Sequence, residues 1–154
     1  MTLRFTHLLA AFFAAFTLAV APALAQDGDP GQIVRAAAAA MQETAERTAD
    51  RIHELAAEGI ETIIRLDNSD ASDRELIAAA RHAMGRVNHA ARHGNRHVGL
   101  IAARAAHALR ALHADREFFV ALGTARRAAS QAIGNARHRA NAAIQEALRE
   151  ALDN

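Results

Sequence analysis

Three histidines, His89, His93 and His97, stand at i, i+4 and i+8, with His82 one heptad before His89. On a helix, residues four apart sit on adjacent turns of one face, so successive imidazoles are spaced to chelate Zn, Cu or Ni. Three ligands in a line do not make a tetrahedron, and a closed site needs a fourth from another helix or another chain. Arg86, Arg92, Arg96 and Arg104 surround the set, and no carboxylate occurs between Leu76 and Ala114 to neutralise a divalent cation. The competing reading is a solvated polar face. Below about pH 6 the same imidazoles would add positive charge, since an ordinary histidine titrates near 6.5.

Other chemistry finds little to use. The chain has no cysteine, which excludes thiolate metal sites, disulfide scaffolds and a lipid-anchored cysteine. It has no Gly-rich phosphate loop, no nucleophile-elbow serine motif and no His-Glu-x-x-His pair, and Ser130 has no convincing base and acid partners. No catalytic residue and no organic cofactor is expected, and the protein reads as non-enzymatic. Trp and Tyr are absent, and beyond residue 25 the aromatic carbocycles are Phe118 and Phe119 alone, so stacking on bases or sugars has almost no material.

The element that must position the histidines is a long helix. From Ile77, alternate steps of three and four visit Ala80, Met84, Val87, Ala91, Gly94, Val98, Ile101, Ala105, Ala108 and Leu112 without meeting a polar side chain. A period of about 3.5 held this long indicates a helix lying along another, with small residues letting backbones approach. His82, Arg86, His89, His93, Arg96, His97, Arg104 and His107 fall opposite that seam.

A second seam precedes it, through Val34, Ala38, Met41, Ala45, Thr48, Ile52, Leu55, Gly59, Thr62 and Leu66, with Glu43, Asp50, Glu54 and Glu61 on its back. Ile60, Ile63 and Ile64 widen the stripe enough for two neighbours. Asp29-Pro30 marks the start of this helix and a polar run at residues 67–73 its end; Ser72 with Glu75 forms a capping box for the next. Downstream the phase continues through Phe119, Leu122, Ala129, Ile133, Ala136, Ala140, Ala143 and Ala147, broken by Asp115 and Arg126. No Gly or Pro marks a turn near 113, so one helix over 73–152 that dimerises competes with two shorter ones. Segments of matching length cover one another better, and the expected fold is all-α: helices over about 30–66, 73–112 and 116–152 in a three-helix antiparallel bundle or coiled-coil-like hairpin.

The amino terminus reads as an address. Residues 8–20 are uncharged and apolar, and Ala23-Leu24-Ala25 offers small residues at the cleavage positions, so a signal peptide over 1–25 with cleavage after Ala25 is expected, a retained anchor being the alternative. Residues 26–154 then form one domain. From Gln26 onward there are 34 alanines against 26 Ile, Leu, Val, Met and Phe together, which implies a thin core. All 18 basic residues are arginine; with the alanine excess this suggests a GC-rich bacterial genome.

Charge divides along the chain. Residues 26–75 hold 12 acidic side chains and 5 Arg, and residues 76–154 hold 12 Arg and 5 acidic side chains. An acidic helix antiparallel to a basic one would orient the pair through ion pairs, or the basic part would serve an anionic partner. The combined expectation is an exported helical interaction or scaffold protein, periplasmic or extracellular, binding itself or another protein by helix packing. A metal-binding role for the histidine face is the alternative. Nucleic acid is not an expected partner, and a membrane surface is disfavoured because the apolar faces are mostly alanine.

Overall fold

A computed structural model of the chain describes residues 28–153; the expected signal peptide lies outside the described residues. Three helices account for nearly all of them: α1 (Pro30–Asp67), α2 (Asp73–Ala111) and α3 (Arg116–Leu152). Each packs against both others, and no strand is present among the described residues. Contacts fall in opposite order along neighbouring helices. Gly59 meets Ala83 while Thr48 meets Gly94, and Met84 meets Gln145 while Asn88 meets Asn141. Thus α2 runs antiparallel to α1 and to α3.

Local chemistry explains the ends. The Asp29 carboxylate accepts from the Gly31 N–H at 2.9 Å, with Pro30 at the first helical position. At α2 the Glu75 carboxylate accepts from both the N–H (2.9 Å) and the hydroxyl (2.7 Å) of Ser72, which holds its pKa below the ordinary value. Both connections are closed by the same six-residue hydrogen-bond pattern. After α1, Ala71 N–H reaches Leu66 C=O and Asp70 N–H reaches Asp67 C=O; after α2, Ala114 N–H reaches Leu109 C=O and His113 N–H reaches Arg110 C=O. The left-handed residue this pattern requires is Asp70 (φ 56°) in one and His113 (φ 51°) in the other. A glycine normally fills that place, so the second turn carried no sequence mark. The single long helix over 73–152 is therefore excluded.

The core repeats every eleven residues and not every seven. The repeat is carried by Met41, Ile52 and Ile63 on α1; Leu76, Val87, Val98 and Leu109 on α2; and Leu122, Ile133 and Ile144 on α3, with Ile33 and Leu55 of α1 a second pair two repeats apart. A straight helix of 3.6 residues per turn drifts against a 3.5 repeat, and an eleven-residue repeat follows it more closely. The heptad reading therefore slips by one residue in places. Leu76, Ala83, Ala102 and Leu109 are buried where Ile77, Met84, Ile101 and Ala108 are half-buried, and Leu112 is a 40% exposed cap residue. On α1, Ile33, Ala37, Ala56 and Ile63 are buried while Val34, Ala38, Thr48, Thr62 and Leu66 are partly exposed. Ile64, expected to widen the stripe, is 51% exposed. On α3, Ile144 is buried and Ala143 exposed.

The thin core is built by close approach at two points eleven residues apart. A methyl group on Gly59 would stand 2.4 Å from Ala83 Cβ, and one on Gly94 would stand 2.4 Å from Thr48 Oγ1 and 2.9 Å from its Cβ. Thr48 tolerates this interface because its hydroxyl donates to Thr44 C=O at 2.7 Å, within its own helix.

Candidate functional site

The capping box and uninterrupted pattern of α2 place its histidines on one element, and six of the eight residues of the stripe opposite the core are exposed. One edge of the stripe borders α1. Arg86 is half-buried and donates to Glu58 of α1 at 2.6 Å, while His97 is half-buried. His82 and His89 line an open groove of about 600 Å³ together with Arg81, Gly85, Arg86 and Ala90 of α2 and Arg51 and Leu55 of α1. Arg51 in turn donates to Glu54 at 2.8 Å and lies 3.8 Å from Glu58, so the carboxylates here are engaged by arginine.

Of the four candidate ligands, the structure brings His93 and His97 together. Their ring centroids are 4.5 Å apart, with planes tilted by 41°. Burial, then the charges of His93 and Arg96, lower the pKa of His97. The neutral imidazole that a metal would need is therefore favoured at His97. His89 lies one turn before the pair and His82 nearly two turns further, both exposed. Among the described residues, no three His, Asp or Glu side chains form a group that could hold a metal ion.

Two features were not legible in the sequence. Asn141 Nδ2 of α3 donates to Asn88 Oδ1 of α2 at 3.3 Å, and Asn141 Oδ1 is buried without a partner. A polar pair inside a helix interface typically fixes register at some cost in stability. Their types and positions gave no hint, because each lies outside the apolar seam of its own helix.

The second feature is how little the two charged segments pair across the helices. Of the ion pairs among the described residues, only Arg86 with Glu58 crosses between helices. Arg47 with Glu43, Arg51 with Glu54 and Glu58, and Arg149 with Glu146 lie within one helix, and Arg35 pairs with the cap residue Asp29. Every buried side chain among the described residues is apolar. The charges consequently lie at the surface, exposed or half-exposed.

Compared with known proteins, the chain matches no family model, no curated protein and no solved structure.

Proposed function

We propose that this protein is an exported, non-enzymatic helical interaction or scaffold protein of the cell envelope, acting through the outer faces of its bundle. The observation that carries the reading is the division of labour within each helix. Every buried side chain among the described residues is apolar, while most of the ionisable ones are presented along the outer faces of helices of 37 to 39 residues. Long faces of this kind suit recognition by packing and charge. Exposed Leu100 on α2 and Val120 on α3 (47% and 56%) give a helical partner apolar points of contact.

Export is tested by sequencing the amino terminus of protein recovered from the envelope fraction. A chain beginning at Gln26 is expected, and a cytoplasmic chain retaining residues 1–25 overturns the reading. Interaction is tested with photo-crosslinking residues at Leu100 and Val120 in living cells. A discrete adduct at these positions, absent when the probe sits at Asp50, is the expected result.

The contact between His93 and His97 favours one second reading, metal binding by α2. Two imidazoles on adjacent turns supply half of a tetrahedral sphere for Zn, Cu or Ni, with His89 the nearest further donor on the helix and His82 an outer one.

A further inference from the structure

The geometry points to a polyanion-binding surface formed by α2 and α3 together, and its partner is a linear acidic polysaccharide. Ten arginines lie between residues 76 and 114 on α2 and between 118 and 145 on α3, with no carboxylate in either segment. Nine of them are exposed; Arg86 alone is half-buried, and among the described residues it alone of the ten is in an ion pair with a carboxylate. The antiparallel register fixed by Asn88 with Asn141 and by Met84 with Gln145 brings part of the two sets side by side, Arg81 and Arg86 lining the groove towards α1 instead. It sets Arg92 of α2 level with Arg137 of α3, and Ala102 and Ala103 level with Arg127 and Arg126. Arg92, Arg96 and Arg110 extend the track for about 27 Å along α2. Glu58 of α1 reaches across to Arg86, which lies outside the track.

The chemistry of the surface selects the class of partner. Guanidinium groups bind carboxylate, sulfate or phosphate in a fork and stay charged at any relevant pH. With Arg126, Arg127 and Arg137 of α3 alongside, six guanidinium groups lie along about 27 Å, one per about 5 Å, a density suited to a polymer with one charge per sugar and far below the one charge per about 1.7 Å of duplex DNA. Gly99, Gly134 and Ala103 keep the relief low, so an extended chain can lie against the helices. A membrane surface is a poorer fit. Of the exposed large apolar side chains on α2 and α3, only Leu100 lies within this track, while Leu112, Val120 and Leu152 stand towards helix ends, and interfacial helices bind by inserting an apolar face. The choice of polysaccharide over nucleic acid rests on the proposed export.

The test uses the full chain and polygalacturonate oligomers, with neutral dextran as control, read by isothermal titration at two salt concentrations. Binding that weakens with salt is expected, about tenfold weaker in Arg92→Gln/Arg96→Gln/Arg137→Gln and unchanged in Arg35→Gln/Arg65→Gln/Arg149→Gln, which removes the same charge elsewhere. Circular dichroism confirms that both variants remain helical, as their sites are exposed. Absence of binding at low salt, equal loss in both variants, or binding to phosphatidylglycerol vesicles or duplex DNA but not to polygalacturonate overturns the proposal. Each of these outcomes is independent of the amino-terminal sequencing and crosslinking that test export and interaction.

Discussion

Substituting alanine for each helical glycine divides the glycines into two classes with opposite signs. Around Gly85, Gly99 and Gly134 nothing lies within 4 Å of the new methyl group. Alanine there removes the propensity cost of glycine and stabilises the bundle by about 0.5–1 kcal/mol. At Gly94 the same gain is opposed by a Cβ placed 2.4 Å from Thr48 Oγ1 and 2.5 Å from Cγ2. Rotating Thr48 does not relieve it, because the threonine Cβ is itself only 2.9 Å away. Carbon atoms rest about 3.5–4.0 Å apart, so α1 and α2 must separate by roughly 1 Å, loosening the neighbouring contacts. Overpacking of this kind costs about 1–3 kcal/mol, which outweighs the propensity gain. Gly59, facing Ala83 Cβ at 2.4 Å, behaves alike. Urea unfolding followed by far-UV circular dichroism reads the result: a midpoint raised in Gly85→Ala, Gly99→Ala and Gly134→Ala, lowered in Gly59→Ala and Gly94→Ala. A Gly94→Ala midpoint as high as that of Gly85→Ala refutes the close approach of α1 and α2.

His113→Gly relieves a left-handed conformation in a residue bearing a Cβ and raises stability by about 1 kcal/mol in the same assay; a loss shows that the turn is not closed as described. Asn141→Leu removes a buried, unpartnered carbonyl oxygen together with one long hydrogen bond, so stability stays level or rises, and a fall beyond about 1 kcal/mol contradicts a register-setting role. The lowered pKa of His97 means that the unfolded chain binds more protons than the folded one as pH drops below about 6.5. Its contribution to stability is present near neutrality and is lost on acidification towards the lowered folded value. His97→Gln should therefore flatten the urea midpoint between pH 7.5 and 5.5, and an unaltered slope removes His97 as its source.

Legibility followed the range of the physics involved. Helix starts rest on local hydrogen bonds, and Asp29-Pro30 and Ser72 with Glu75 revealed them at the positions found. The eleven-residue repeat was hidden because alanine occupies both the heptad positions and the positions one residue away; Ala80, Ala91 and Ala105 satisfy either spacing. The turn at residues 112–115 was hidden because His113 stands where glycine signals a helix stop. The histidine set was recognised correctly as a helical series. The contact of its Arg86 edge with α1 depends on which flank each neighbour covers, and Gly59 and Gly94 read only as weak points until the opposing Ala83 and Thr48 showed them to be contacts. The separation of acidic and basic surfaces belongs to tertiary structure for the same reason: the sequence gives the charges of each segment, and packing decides whether they meet.

A partner-binding role for the arginine and histidine side chains of α2 is separated from metal loading by equilibrium titration of the protein, without a histidine tag, against Zn, Cu and Ni at pH 7.5. Weak, non-stoichiometric association is the expected result. Saturable binding at micromolar affinity or tighter that disappears in His89→Gln/His93→Gln/His97→Gln contradicts it and puts the metal-binding reading in its place.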